Sequence, residues 1–519
     1  MNKMLNMPFR AMRPAKNSSK NFHKYRATNK TGKNILLIDL NNFANFPTMA
    51  IGILVASLRN SGHSVKVVCP LAYGASAAER EWRETPLDHI ARRINLSTRQ
   101  PFLILRDVAR RTRIWWKNRP NRIVLRETNK AISEDTDIVL LSAYLQHRPT
   151  VVKIGKIVKR HQVPLLVGGA MFNIKETANT WLSVPGLSAL FGGEADKCIS
   201  DLVHAVCANA DLMQFPGVTL PDGQKSSDAP PFRNLDATSI PDFTDFPWDR
   251  YPAKIIPVMT GRGCQWNKCV FCSDVVSVSG RTFRTRSIEN VMLELREQSR
   301  RHHTSNFLFL DLKLNSNPNM FRGISEQIQT YVPGAEWIGT VHVDLRKDNG
   351  LSRRDLKAAV SSGMRRISFG LECGSQNMLD AMLKGSTVEK NSEFIRNAYD
   401  AGLSIRCTMF MGFPGETPED LEKTADFLEE HAKYLDRVRF NAFSIMEDTP
   451  IYDALRKRSP EYSAIQLTRL DHKIARAEYN HPSLGTRAYL KAKKRTLSIV
   501  YAINKKRVRV TAQAFDGLM

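Results

Sequence analysis

From Ile255 to about residue 450 the chain repeats one unit six times, a short apolar run followed by a loop and a stretch of helical period. The runs are Ile255-Ile-Pro-Val-Met-Thr260, Asn306 to Leu312, Trp337 to Val343, Arg366 to Glu372, Ser404 to Met411 and Arg437 to Phe443. Helices are expected between them near 287–300, 318–331, 353–362, 388–401 and 417–432. Short apolar runs of this kind suit parallel strands covered by helices on their outer side. Parallel neighbours need right-handed crossovers, so six units in series curl into a partial or complete barrel over residues 252–450. The chemistry of such a barrel sits at the carboxyl ends of its strands.

A second alternation precedes it. Ile35-Leu-Leu-Ile-Asp39, Val65-Lys-Val-Val-Cys69, Asp137 to Ala143, Pro164 to Gly169 and Leu187 to Phe191 read as five strands, with helices at Met49–Asn60, Val151–Arg160 and up to about Ala208. Residues 34–208 are therefore expected to form a Rossmann-like domain, with an insertion at 74–132. The Pro-, Asp-, Gly- and Ser-rich stretch 209–251 reads as a linker. Residues 451–519 read as a basic, helical C-terminal extension. With 519 residues, two or three folding units are required, and a single small binding module is excluded. The fold class expected is α/β: a Rossmann-like domain, then a partial (β/α)6 barrel, then the extension.

The formal charge of +25 is concentrated at the periphery. Residues 1–33, read as a flexible tail, carry nine Lys or Arg and no acid; residues 99–130 carry ten against two; residues 451–519 carry fifteen against five. Such surfaces attract RNA, anionic lipid, an acidic substrate or an acidic electron-transfer protein, or serve only as solvated faces. Trp115 and Trp116 lie among arginines in the insertion, an arrangement suited to stacking on bases, to a membrane surface, or to a basic hairpin tucked on the core. No stretch of about 18 apolar residues and no secretory leader pattern is found, so a cytoplasmic protein without a transmembrane segment is expected.

Of eight cysteines, three crowd into nine residues, in Gly263-Cys-Gln-Trp-Asn-Lys-Cys-Val-Phe-Cys272, directly after the first barrel run. Eight cysteines in so long a chain make no disulfide framework. A structural zinc takes four ligands, so Cys264, Cys269 and Cys272 would need a distant His or Cys to complete one. Three thiolates alone suit a 4Fe-4S cluster that keeps one iron open to substrate or cofactor.

These residues resemble the radical S-adenosylmethionine (SAM) superfamily, whose usual spacing is C-x3-C-x2-C with an aromatic before the last cysteine. Phe271 supplies the aromatic; the C-x4-C-x2-C spacing departs by one residue and is similar to a variant found in members with an amino-terminal cobalamin-binding domain. Ser368-Phe-Gly-Leu-Glu-Cys-Gly-Ser-Gln376, Lys384-Gly-Ser-Thr387 and Met411-Gly-Phe-Pro-Gly-Glu-Thr417 follow in the family's order. The resemblance implies that Glu372 binds the ribose hydroxyls of SAM, that Gly412, Phe413 and Pro414 pack near its adenine, and that Arg406 holds its methionine carboxylate. A carboxylate suits a vicinal diol because it accepts two hydrogen bonds at once. A salt-bridged strand end is the other reading of Glu372.

The amino-terminal domain fits the same resemblance. Ser142 and Gly168-Gly169 end the third and fourth strands, where cobalamin-binding relatives make room for the nucleotide tail and the corrin, and Gly192-Gly-Glu194 is also similar. The D-x-H-x-x-G motif that gives cobalt a histidine elsewhere is missing: the loop reads Leu40-Asn-Asn-Phe-Ala-Asn45. His63 is expected at the opposite edge of the sheet, and His147 is the one histidine near the cofactor edge. The implied activity is that of a cobalamin-dependent radical SAM enzyme, with a 4Fe-4S cluster, SAM and cobalamin. The favoured form is a methyltransferase acting on an unactivated carbon or phosphorus centre of a small molecule through a 5'-deoxyadenosyl radical. Cyclisation or rearrangement without methyl transfer, and a tRNA-modifying enzyme, are the alternatives. A flavodoxin- or ferredoxin-type reductant is the expected partner, with nucleic acid as a less favoured one.

Overall fold

The computed structural model describes residues 32–77, 83–97, 121–273 and 282–518, with positions 104, 106–109 and 112 between them. The basic tail 1–31 and the Trp115-Trp116 pair lie outside the described residues. Two parallel sheets carry the molecule. The first has the strands β1 (Asn34–Asp39), β2 (Ser64–Val68), β3 (Ile138–Ser142), β4 (Leu165–Gly168) and β5 (Leu187–Phe191). They lie in the order β2-β1-β3-β4-β5, with one further strand, β6 (Val218–Thr219), antiparallel on the β5 edge. Helices α1 (Met49–Asn60), α2 (Pro86–Asn95), α3 (Arg122–Ala131), α4 (Arg148–Arg160), α5 (Lys175–Asn179) and α6 (Ile199–Cys207) accompany them. Strand β1 is buried from Ile35 through Asp39, as a central parallel strand must be.

The 209–251 stretch is folded rather than extended. It contributes β6 and sends Phe243, fully buried, against α1 so closely that a Cβ at Gly52 would stand 2.3 Å from its ring.

The second sheet runs β14-β13-β12-β11-β10-β7, parallel throughout and open between its end strands, a six-stranded partial barrel. Its strands are β7 (Ile256–Val258), β10 (Asn306–Phe309), β11 (Glu336–Val341), β12 (Met364–Glu372), β13 (Ser404–Met411) and β14 (Arg437–Ala442). A two-stranded ribbon, β8 (Gly261–Arg262) with β9 (Arg284–Thr285), brackets the cysteine loop. The helices are α7 (Ile288–His302), α8 (Pro318–Tyr331), α9 (Arg353–Ser361), α10 (Gln376–Ala381), α11 (Val388–Ala401) and α12 (Pro418–His431). Side chains in α9 and α12 close capping boxes, Ser352 with Asp355 and Thr417 with Asp420.

The C-terminal part is helical in α13 (Pro450–Arg456) and α14 (Arg487–Asn504), but it also contains β15 (Ile445–Met446), β16 (Gln466–Asp471) and β17 (Arg476–Asn480) as a small antiparallel sheet. Its last residues reach the amino ends of the barrel strands. There the buried Arg366 donates to the Phe515 carbonyl at 2.8 Å, and Arg437 pairs with Asp516 at 3.0 Å. No helix among the described residues is long and apolar enough to cross a membrane.

Candidate functional site

The cysteine loop is stapled to the turn after β12. Trp266 donates its indole N–H to the Leu383 carbonyl at 2.7 Å, and the Val270 N–H donates to the Met382 carbonyl at 3.1 Å. Gly385, at φ +69°, lies under the Trp266 ring so closely that a Cβ there would stand 2.1 Å from it. The Lys384-Gly385 pair is therefore dictated by packing against the loop. Cys264, Cys269 and Cys272 are half-buried and free of disulfides. Burial pushes the Cys269 thiol up, and the Lys384 ammonium beside it pulls the other way. Three sulfur donors on one loop, partly shielded and faced by a buried cation, fit a cluster of the Fe–S type. Among the described residues no group of three His, Cys, Asp or Glu side chains is already drawn together as a closed metal site.

Lys384 also holds Glu372, with Nζ and Oε1 2.7 Å apart and both side chains under a tenth exposed. Glu372 ends β12 at φ +63°, beside a shift in the β12–β13 register. Gly370 lies directly beneath the pair, because a Cβ there would stand 2.2 Å from the Glu372 carboxylate and 2.8 Å from Lys384. The salt-bridged reading of Glu372 and its ligand reading thus meet in one arrangement, since the ammonium occupies one oxygen and fixes the carboxylate at the strand's carboxyl end.

Phe271 packs edge-on to Phe410 at 5.2 Å, and Phe410, Phe413 and Phe443 continue the cluster. Phe413 is fully buried there, so its ring serves to anchor the turn rather than to line its surface. The turn itself is held from the C-terminal extension. Gly412, at φ +85°, donates to Glu416 Oε2 at 2.6 Å, the Tyr479 hydroxyl donates to the Gly412 carbonyl at 2.6 Å, and the Tyr489 hydroxyl donates to Glu416 at 2.5 Å. Pro414 is buried beside them. Arg406 is half-buried on β13, opposite Ser368 and Arg437 in the register. Glu372 pairs with Met409, so Arg406 lies three positions, about 10 Å, nearer the amino ends of the strands.

Between Glu372 and β10 the mouth holds further ionic groups. Lys313 and Asp344 pair at 2.8 Å while buried, Arg346 adds a second cation to Asp344, and His342 lies 6.4 Å from Trp266 between ring centres. Desolvation, reinforced by Lys384 and Lys313, drives the His342 imidazole well down, so it is neutral at physiological pH. Residue spacing gives no sign of this set, because its members come from three different strand ends.

Two ion pairs tie the loop's stem to the first sheet. Arg262, two residues before Cys264, contacts Asp196 at 2.5 and 2.9 Å, and Arg284 contacts Glu194 at 2.6 and 3.1 Å. Both acids follow Gly192-Gly193 at the end of β5. Beside them opens a cavity of about 940 Å³, lined by Ser142, Gly168, Gly169, Phe43, Met259 and Leu310 among others, and reaching Gly263 and Ser273 on either side of the cysteines. At Gly168 a Cβ would meet nothing nearer than 3.8 Å, so it projects into open space; at Gly169 it would strike the Ala143 carbonyl at 2.5 Å. The donor-poor, glycine-edged cradle fits a bulky planar ligand. No histidine is found among the described lining residues. His147 Nδ1 accepts from the Tyr144 N–H at 3.2 Å, and burial lowers its pKa to about 4. His63 is bonded to the Lys33 N–H and to Ser200, at the far edge of the sheet.

Burial raises three carboxylates of this framework: Glu416 to about 7, and Asp39 and Asp311 to about 6. A carboxyl whose folded pKa lies above its unfolded one contributes stability that is complete below the unfolded pKa and is lost as pH rises through the folded pKa. Stability is therefore expected to fall between about pH 4.5 and 7. Glu416→Gln is expected to remove about 3 kcal/mol of that fall, at 1.36 kcal/mol per pKa unit. Urea unfolding of both proteins at pH 5 and pH 7.5 checks it; parallel pH profiles would refute it.

Residues 258–428 match the family model described as Radical SAM superfamily. The chain is 29% identical over 325 residues to the uncharacterized methyltransferase PH0819 of Pyrococcus horikoshii, covering 61% of this chain and 68% of that protein. It is 26% identical to the anaerobic magnesium-protoporphyrin IX monomethyl ester cyclase of Rubrivivax gelatinosus over 253 residues, 46% of this chain and 44% of the cyclase. Among solved structures the fold is similar to the cobalamin-dependent S-adenosylmethionine radical enzyme OxsB, with a TM-score of 0.64 at 15% identity, covering 89% of this chain and 66% of OxsB. It is similar also to the radical S-adenosylmethionine methyltransferase TsrM of Kitasatospora setae, with a TM-score of 0.62 at 14% identity, covering 90% and 89% of the two chains.

Proposed function

Because residues 258–428 make this chain a radical SAM protein, we propose that it is a cobalamin-dependent radical SAM enzyme. Its favoured activity is methyl transfer to an unactivated carbon or phosphorus centre of a small molecule. The observation that carries this reading is the cavity of about 940 Å³ that runs from the glycine-edged end of the first sheet to the cysteine loop. When bound, the cluster supplies the electron that cleaves SAM and cobalamin supplies a transferable methyl group.

The chain's own groups position and shield. Cys264, Cys269 and Cys272 hold the cluster, with Lys384 balancing thiolate charge. Glu372, fixed by Lys384, accepts the ribose hydroxyls. The Gly412-Phe413-Pro414 turn, clamped by Glu416, Tyr479 and Tyr489, forms the adenine wall, and Arg406 faces the carboxylate end. Ser142, Gly168 and Gly169 cradle the corrin, and the Arg262–Asp196 and Arg284–Glu194 pairs hold cavity and cluster loop at a fixed separation, which is what preorganisation requires. Similarity to the Rubrivivax cyclase supports a second reading, ring formation without methyl transfer; product analysis separates the two.

Gly168→Phe places a ring in open cavity without touching backbone, so it is expected to abolish retention of hydroxocobalamin while the protein stays folded by circular dichroism. Equal retention by both proteins would place cobalamin elsewhere. In the wild-type protein, electron paramagnetic resonance of the Co(II) state is expected to show no nitrogen splitting from a protein ligand. A splitting that His147→Ala removes would contradict this.

The reductant is proposed to be an acidic flavodoxin- or ferredoxin-type protein, attracted by a chain of net charge +25. Its reduction rate is expected to fall severalfold between about 0.05 and 0.5 M salt as screening shortens below 10 Å. A salt-independent rate would remove charge from the encounter.

A further inference from the structure

Helix α2 is mounted inside out. Its polar edge faces the protein: the His89 ring stacks on Tyr501 at 4.5 Å, Arg92 pairs with the buried Glu84 at 3.1 Å, and Lys493 donates to the Leu96 carbonyl at 3.1 Å where the helix ends. Its apolar edge faces outward, with Leu87 77% exposed, Ile90 53% and Ile94 48%. These three recur at the i, i+3, i+7 spacing of one helix stripe. The helical positions that follow repeat the inversion. Arg106 turns inward to donate to the Ser97 carbonyl at 2.5 Å, while Ile104 and Val108, one turn apart, are 70% and 56% exposed.

Five large apolar side chains on two neighbouring helical stretches, both anchored by their polar edges, form a face that water covers poorly and that calls for an occupant. Cations surround it. Arg83 is bonded to the Lys505 carbonyl, Arg92 and Arg93 flank the stripe, and the stretch from 99 to 130 carries ten Lys or Arg against two acids. Apolar residues outward among arginines are the pattern of a helix that lies in the interface plane of a membrane, its stripe among the acyl chains and its cations at anionic headgroups.

We propose that this face docks the protein on an anionic lipid surface. The inference is independent of the cofactor reading. The test is flotation of the full-length protein with vesicles of phosphatidylcholine, alone or with about 30% phosphatidylglycerol, at low and high salt. The expected result is binding to the anionic vesicles, weakened severalfold by about 0.5 M salt and lowered tenfold or more in Ile90→Asn/Ile94→Asn, whose substitutions touch no packed residue. Absence of vesicle binding, or equal binding by wild type and variant, would overturn it. So would a wild-type dimer, seen by light scattering, that the same substitutions dissociate, since the face would then be an interface between copies.

Discussion

Anaerobic reconstitution of Cys264→Ala, Cys269→Ala or Cys272→Ala is expected to leave almost no iron, against about four per chain in the wild-type protein, and to abolish SAM cleavage. The expectation rests on the donor set. The loop offers three sulfurs, and two thiolates cannot hold a cluster that also leaves an iron open. The loop is itself braced by backbone bonds to Met382 and Leu383 that none of the three substitutions touches. The fold should therefore survive, and loss of iron can be separated from loss of structure by comparing thermal unfolding of the apoproteins. Retention of a full iron complement in any one variant would mean that another residue serves as ligand.

Lys384→Met is expected to have the second-largest effect. The ammonium is enclosed between Glu372 and the thiols of Cys269 and Cys272, and the charges of all three favour its protonated form although burial opposes it. Methionine fills similar space and removes the charge, leaving the Glu372 carboxylate buried without its partner. Breaking one side of a buried pair costs about 3 kcal/mol of stability. Glu372, freed from its anchor, should also lose its alignment for the ribose diol, a loss of about 100-fold in SAM affinity if about 2.7 kcal/mol of binding depends on it. Denaturant unfolding and equilibrium SAM binding measure the two separately. An unchanged affinity would show that Glu372 does not meet the ribose.

The strands and helices of the barrel were legible in the sequence because each is an independent periodic signal. The helix expected at 388–401 is observed at Val388–Ala401, and the strand expected at Ser404–Met411 at those residues. The hairpin of β16 and β17 was not legible, since Gln466, Thr468 and Arg469 face solvent and leave no alternating apolar pattern. The stretch 209–251 has the composition of a linker, yet Phe243 and Phe246 bury themselves; Pro and Gly content reports local conformation and is silent about where two aromatic rings go. The cysteines, Glu372 and the Gly412 turn lie in motifs that can be read along the chain. Lys384 stood in a legible motif without a role, because its partners Glu372 and Cys269 are brought to it by the fold. The Arg262–Asp196 and Arg284–Glu194 pairs span 66 and 90 residues, a separation at which sequence carries no pairing signal without a structure. The outward stripe of α2 is a different case: the pattern of Leu87, Ile90 and Ile94 announces an amphipathic helix, and periodicity alone assigns that stripe to the core.

The central claim is that one chain holds a SAM-cleaving cluster beside a cobalamin. It is tested most directly by reconstituting the full-length protein anaerobically with iron, sulfide and hydroxocobalamin, reducing it in the presence of SAM, and quantifying bound metals, retained cobalamin and 5'-deoxyadenosine. The expected result is about four irons and about one cobalamin per chain, with 5'-deoxyadenosine released alongside methionine. A stoichiometric zinc without an iron chromophore, or an iron cluster that leaves SAM intact in a protein retaining no cobalamin, would contradict it.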